Sequence, residues 1–341
     1  MTTSKSSKKV TIYDLATELK VSPSTVSRAL ANSDLISDKM RNRVHAKAME
    51  MGYQSKNFRA KKDGTVAVVV PDLNSYFYSQ VLEAIQDTLG EEILLSIYNS
   101  YNAVEQEKKI LSKLNPDQVV CLILVRSMDS ENSDHILEVE EKGIPVIMFN
   151  RVDYDYECPK FVIDNYMDSY LLTKHLIASK YRRIAFAAKH YNCPIYKERI
   201  RAYRDVLNDS GLRFNSDYLI FSEHTFDDIV AVVQKFLFLR PRPDAIILPG
   251  FSAALQTISI ARKYNILTPD ELGIVSFDED PECRYSHPTI TGIERPLQKM
   301  GTEIGKVAQL IYENKVYNRN ELRVFKSNLV VRGSSLRPTN K

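Results

Sequence analysis

What this 341-residue chain lacks narrows its function before anything else does. No window of about 18 apolar residues is available to span a bilayer. Met1 leads into a polar, lysine-bearing stretch rather than the apolar core of a secretory leader, so a cytoplasmic location without a membrane partner is expected. Cys121, Cys158, Cys193 and Cys283 lie far apart, which suggests neither a zinc knuckle nor a disulfide framework and leaves them as thiols in or near cores. The six histidines are dispersed without metal-ligand spacing, so no metal is expected. Gly-x-Ser-x-Gly, a phosphate loop ending in Gly-Lys-Ser/Thr, Gly-x-Gly-x-x-Gly and His-Glu-x-x-His are all missing. The chain is therefore expected to be neither an enzyme nor a cofactor carrier. With 44% hydrophobic and 26% charged residues, it can still build two or three compact units with real cores.

The net charge of +3 hides an asymmetry. Residues 1–64 hold 13 Lys and Arg against 6 Asp and Glu, a balance of +7, whereas the remainder holds 33 against 37, a balance of −4. A small basic head on a larger, mildly acidic body fits a nucleic-acid-binding module joined to a ligand-binding or assembly domain.

Within the head, Thr11 and Asp14 have the spacing of a capping box, and Ile12, Leu15, Ala16 and Leu19 follow at helical period. After a break at Lys20-Val21, Ser22 is positioned as an N-cap and Pro23 as the first helical residue, where its missing N–H costs nothing. Val26, Ala29 and Leu30 give that second helix an inner face, leaving Ser22, Pro23, Ser24, Ser27 and Arg28 outside. Ser37 opens a third helix with Met40, Val44, Ala48 and Met51 inward, ended by Gly52. Three short helices, the first two joined by about three residues, make a helix-turn-helix unit whose second helix can enter the major groove.

Val10-Thr11-Ile12-Tyr13-Asp14-Leu15-Ala16, the run from Val21 to Leu30 and Met51-Gly52-Tyr53 resemble the head of the lactose repressor (LacI/GalR) family. The resemblance implies base contacts from Pro23, Ser24 and Arg28 and phosphate contacts from Thr25 and Ser27, with Arg28 suited to a bidentate guanine contact. Thr11, Ser22, Asn32 and Tyr53 complete the DNA-facing set that it implies on the head. Two residues depart from the family's pattern: Pro23 offers only an apolar contact, and Lys20 replaces the usual turn glycine.

Residues 1–53 are thus read as the DNA-binding domain and 54–64 as a basic linker. The family folds this linker into a hinge helix whose leucines wedge into the minor groove. Here the segment is shorter and contains no leucine, and Phe58 is its only bulky apolar side chain. Lys56, Arg59, Lys61 and Lys62 can neutralise phosphates at any sequence. A wedge by Phe58 and a flexible basic tether are the two readings.

Beyond Gly64, near-continuous β-branched runs such as Val66–Val70 alternate with segments of helical period, as in parallel sheets covered by helices on both sides. Strands are expected at 93–98, 119–125, 146–149, 161–163, 184–188, 218–221, 245–248 and 273–277. The resemblance continues through Val70-Pro71-Asp72, Gly143-Ile144-Pro145-Val146, Phe277-Asp278 and Leu329-Val330-Val331-Arg332. It implies an α/β type I periplasmic-binding-protein-like body at 65–336. Its lobes would be about 65–162 plus 292–324, and 163–291 plus 325–336.

Such a body takes a small molecule between its lobes, and the positions carried over are Phe77, Tyr78, Ser127, Asn150, Arg151, Arg199, Phe251 and Asp278. Asn150 stands where sugar-binding members commonly have Asp, and Gly250-Phe251 where they commonly have Asn-Asp. Two polar partners for hydroxyls are therefore missing. The reading is a homodimeric transcriptional regulator, a repressor by family habit, that binds double-stranded operator DNA and answers to a carbohydrate-like effector. A cytoplasmic sugar-binding protein and a sugar-processing enzyme with an accessory head are the alternatives; the absent motifs oppose the second.

Overall fold

The computed structural model describes residues 10–30, 35–51, 53, 64–189, 193–221 and 226–337. Its head comprises helices α1 (Ile12–Leu19), α2 (Pro23–Leu30) and α3 (Asp38–Met51). The capping box forms: the Thr11 N–H donates to the Asp14 carboxylate at 2.7 Å, and the Asp14 N–H donates back to Thr11 Oγ1 at 3.3 Å. Lys20 takes the left-handed turn at φ 56°, ψ 44°. Its strain of about 1 kcal/mol is offset by Val21 N–H bonding to the Ala16 carbonyl at 3.0 Å, which closes the turn. Ser22 Oγ then accepts the Thr25 N–H at 3.0 Å and opens α2. Leu15, Ala16, Leu19, Val26, Ala29, Val44 and Ala48 form the head's core, with Met40 and Met51 packed against it.

The body holds two six-stranded sheets among the described residues. In the first, β1 (Thr65–Val70), β2 (Leu95–Asn99), β3 (Val119–Leu124), β4 (Val146–Phe149), β5 (Lys160–Ile163) and β11 (Leu322–Phe325) run in the order β11-β5-β4-β3-β1-β2. Helices α4 (Tyr76–Leu89), α5 (Val104–Ser112), α6 (Asp134–Glu141) and α11 (Leu297–Tyr312) accompany it. In the second, β6 (Ile184–Ala188), β7 (Leu219–Phe221), β8 (Ala245–Leu248), β9 (Gly273–Ser276), β10 (Thr291–Glu294) and β12 (Asn328–Val330) are ordered β12-β10-β9-β8-β6-β7. Its helices are α7 (Asn165–Ala178), α8 (Pro194–Asp209), α9 (Phe226–Phe238) and α10 (Phe251–Lys263).

Central strands are buried on both faces, Val66–Val70 and Ala245–Leu248 being wholly inaccessible, which is why their sequences read as unbroken apolar runs rather than alternations. Pairing is parallel from β1 through its neighbours β2 and β3, whereas β12 runs antiparallel to β10. No helix among the described residues is long and apolar enough to cross a membrane.

The chain divides into two compact units, Met1–Phe161 with Leu297–Arg323 and Val162–Pro296 with Val324–Lys341. It passes between them three times. The second passage follows Pro296 rather than falling at 292, because Thr291–Glu294 is a strand of the second sheet. In the first unit α11 lies against α4 at Gly301 and Gly305. A Cβ on Gly301 would stand 2.5 Å from the Val81 carbonyl oxygen, so close helix packing accounts for this pair of glycines.

Candidate functional site

The outer surface of α2 is built by its period. Val26 and Ala29 are fully buried, which turns Ser22, Pro23, Ser24, Ser27 and Arg28 outward. Ser22 Oγ lies 2.8 Å from both Ser24 Oγ and Thr25 Oγ1, a short hydroxyl array at the helix start. Arg28 makes no ion pair among the described residues and is free to meet an external acceptor. A helix face of small hydroxyls with one long guanidinium can approach a groove closely and still read a guanine edge.

Two of the expected head residues are placed differently. Tyr53 is 4% exposed within the apolar core, where burial pushes its hydroxyl pKa up; it supports the domain from inside instead of facing outward. Thr11 is exposed, but its hydroxyl is engaged by Asp14 at 2.7 Å, so helix capping is its visible task. Asn32, Lys56, Phe58, Arg59 and Lys61 lie outside the described residues.

In the first unit, residues after the strand carboxyl ends form one polar cluster. The Tyr78 hydroxyl accepts from Asn150 Nδ2 at 3.0 Å and from Arg151 Nη2 at 3.1 Å, while Arg151 Nη1 donates to Asn102 Oδ1 at 2.5 Å. Phe77 and Phe149 pack edge-on against the Tyr78 ring at 5.2 and 6.1 Å. Asn150 adopts φ 60°, a left-handed conformation that asparagine tolerates better than most residues. Ser127 stands apart from this group: its N–H and hydroxyl both donate to one oxygen of Glu107, at 2.6 and 2.8 Å. His135 Nε2 lies 2.8 Å from the other oxygen of that fully buried carboxylate.

In the second unit, the cluster gathers behind β9. Arg199 is 6% exposed; its guanidinium stacks 3.9 Å from the Phe277 ring centroid and 5.4 Å from that of Tyr196, and its Nε donates to Asn165 Oδ1 at 3.0 Å. Asp278 is half-buried, and Arg295 Nη1 donates to its Oδ1 at 2.5 Å. Arg295 Nε also pairs with buried Asp168 at 3.5 Å. Burial lowers the pKa of Arg199, helped by the like charge of Arg295. For Arg295 burial acts the same way, but Asp278 and Asp168 outweigh it and hold its pKa above the usual value. Phe251 is the half-buried first residue of α10, behind Gly250, whose Cβ would stand 2.6 Å from Asp278 Oδ2.

Arg295, Asp168, Asn165, Asn102 and Glu107 are absent from the set expected from sequence. Glu107 alone left a signal, as an acid in the inward register of α5 beside buried Ile110 and Leu111. Among the described residues no three His, Cys, Asp or Glu side chains are grouped to hold a metal.

Residues 11–56 match the family model described as bacterial regulatory proteins, lacI family, and residues 173–335 match a periplasmic binding protein-like domain. The HTH-type transcriptional repressor CytR of Escherichia coli (strain K12) is 27% identical over 333 residues, covering 95% of this chain and 96% of that protein. The fold is shared with the transcriptional regulator CelR in complex with cellobiose, at a TM-score of 0.72, 23% identity and coverage of 96% and 100%. It is shared also with the lac repressor dimer bound to operator and an anti-inducer, at 0.68, 18% identity and the same coverage.

Proposed function

We propose that this chain, whose residues 11–56 match the lacI family model, is a sequence-specific DNA-binding repressor whose operator affinity answers to a small molecule. The observation that carries this reading is the outward face of α2: a capped, solvent-facing array of Ser22, Ser24, Ser27 and Arg28 whose helix turns Val26 and Ala29 into the head's core. Such a face needs no further packing partner, and its chemistry matches base edges and phosphates. The protein works in the cytoplasm as a homodimer, two heads meeting a near-palindromic operator with half-sites about one helical turn apart or a multiple of it. Each unit, taken by itself, holds candidate effector contacts: Tyr78, Asn150 and Arg151 after the strand carboxyl ends of the first, and Arg199 in the second. The effector acts only through unequal affinity for the DNA-competent and DNA-incompetent arrangements.

Selection of bound duplexes from a random pool tests the reading. A two-fold symmetric consensus is expected, with affinity falling steeply as salt rises. Recovery of no consensus, or binding that ignores salt, would overturn it.

A further inference from the structure

The head does not stand clear of the body. It belongs to the same compact unit as the first sheet, and Val316, in the turn that joins α11 to β11, packs half-buried against the head's apolar core. Among the described residues it is the body's one contribution to that packing. Residues 54–63, which join head and body along the chain, offer Phe58 as their single bulky apolar side chain. Electrostatics register the same approach. His45 of α3 is half-buried, with Nε2 3.1 Å from the Ala29 carbonyl oxygen. Burial lowers its pKa against the opposing pull of that carbonyl, and two positive charges lower it further, Arg41 on its own helix and Arg319 on the turn. A charge acts in this way only at short range, so Arg319 and α3 are neighbours.

The turn is fastened to the body on both sides of Val316. After α11 the chain reverses at Asn314, left-handed at φ 52°, and the Lys315 N–H bonds back to the Leu310 carbonyl at 2.8 Å. Tyr317 lies among body groups: burial pushes its hydroxyl pKa up, opposed by Arg319 and reinforced by Cys121 and Cys158. The Arg319 guanidinium pairs with the Glu140 carboxylate of α6 and reaches the Glu157 carbonyl at 3.5 Å. Where β11 begins, the Glu321 carbonyl accepts from the Lys160 N–H at 2.7 Å. Val316 is thus a fixed apolar peg. The segment that carries it, Leu297–Arg323, is flanked at both ends by passages of the chain into the second unit.

The contact leaves the reading face open. With Val316 seated, Ser22, Ser24, Ser27 and Arg28 all remain exposed. One valine and one nearby charge form a small contact, which is made and released without unfolding either part. Resting on the regulatory reading above, we propose that the 313–321 turn is a docking seat for the head, through which the body holds α2 outward and ready for DNA. Seated on Val316, the head meets DNA with part of its orientation already fixed. Released from it, the head must find that orientation on binding, at a cost in affinity.

The test uses the full chain, first without DNA. Val316→Asp sets a charge against the apolar core of the head and should speed hydrogen–deuterium exchange in peptides from α1–α3 by at least about threefold, while Val316→Ile keeps the wild-type rate. Each variant is judged on protein that retains its far-ultraviolet dichroism. If Val316→Asp does not fold, the titration of His45 decides, followed by nuclear magnetic resonance on histidine-labelled protein. Arg319→Gln should raise the His45 pKa, whereas Lys315→Gln, on the same turn but not among the charges that His45 feels, should leave it in place. Unchanged exchange in folded Val316→Asp, or a His45 titration indifferent to Arg319→Gln, would overturn the docking. Fluorescence anisotropy on an operator selected with the wild-type chain then reads its consequence: Val316→Asp should bind at least about threefold more weakly, and Val316→Ile as the wild type does. Equal binding by Val316→Asp would show that the seat does not present the head, and tighter binding that it restrains it; either result refutes the proposal. A wild-type chain whose head is protected as expected but which binds no duplex would instead refute the regulatory reading and leave the docking in place.

Discussion

Replacing Arg28 with alanine separates reading DNA from merely holding it. Arg28 is exposed on α2 and makes no ion pair among the described residues. Its removal should therefore shift the stability of the head by no more than about 0.5 kcal/mol. A bidentate arginine–guanine contact is worth about 1–3 kcal/mol of discrimination, or roughly 5- to 150-fold for one head. On the proposed homodimer the loss is counted once per head, so the selected operator should be weakened by about 2–6 kcal/mol. A scrambled duplex should lose far less, because only one long-range charge per head has gone. Fluorescence anisotropy on both duplexes across a salt series reads the two quantities together: the gap between them should collapse while the salt slope changes little. Equal losses on both duplexes, with the slope reduced by about one charge per head, would mean that Arg28 touches phosphate and that base recognition lies elsewhere on α2.

Lys61→Ala should show the opposite behaviour, weakening all duplexes alike and flattening the salt dependence, as measured in the same assay. Thr11→Ala removes the side-chain half of the capping box seen at 2.7 and 3.3 Å and should cost the head about 1 kcal/mol, visible as a lower denaturation midpoint. Gly301→Val forces a side chain onto the Val81 carbonyl and Ala84, and should destabilise the α4–α11 pair by about 1–3 kcal/mol or more in denaturant melts. Burial, with the neighbouring charges of Asp278 and Glu282, raises Asp280 to about 7 against the opposing pull of Arg295. Since this folded-state value lies above the unfolded one, Asp280 favours the folded chain when protonated, and that stability is lost as pH rises from about 4 to about 7. Asp280→Asn should therefore melt higher than wild type at pH 8, with the advantage shrinking towards acid; His45 and His175, whose pKa values burial lowers, act in the opposite sense below about 6.5 in both proteins and cancel in the comparison.

Local periodicity made most of the fold legible. The Thr11–Asp14 cap and the inward set Leu15, Ala16, Leu19, Val26 and Ala29 follow from spacing, because each depends on neighbours within one turn. The central strands were legible for a different reason: burial on both faces leaves no polar position, so Val66–Val70 could hardly be anything else. What escaped was short or decided at a distance. Thr291–Glu294, Leu322–Phe325 and Asn328–Val330 are three or four residues long, too few for a period to register, and with the first of them went the passage after Pro296.

The candidate sites divide along the same line. The readable face of α2 is a property of one helix, since turning Val26 and Ala29 inward necessarily turns Ser24, Ser27 and Arg28 outward. Tyr53 could not be placed that way, because its burial depends on where α3 ends relative to the core of α1 and α2. The effector residues are further still from local rules. Asp278 was legible as a carboxylate behind a strand, but its availability turns on Arg295, seventeen positions away, and on the space above Gly250. Position along a strand thus identifies which side chains can meet a ligand, whereas the partner each has already taken determines which ligand it can accept.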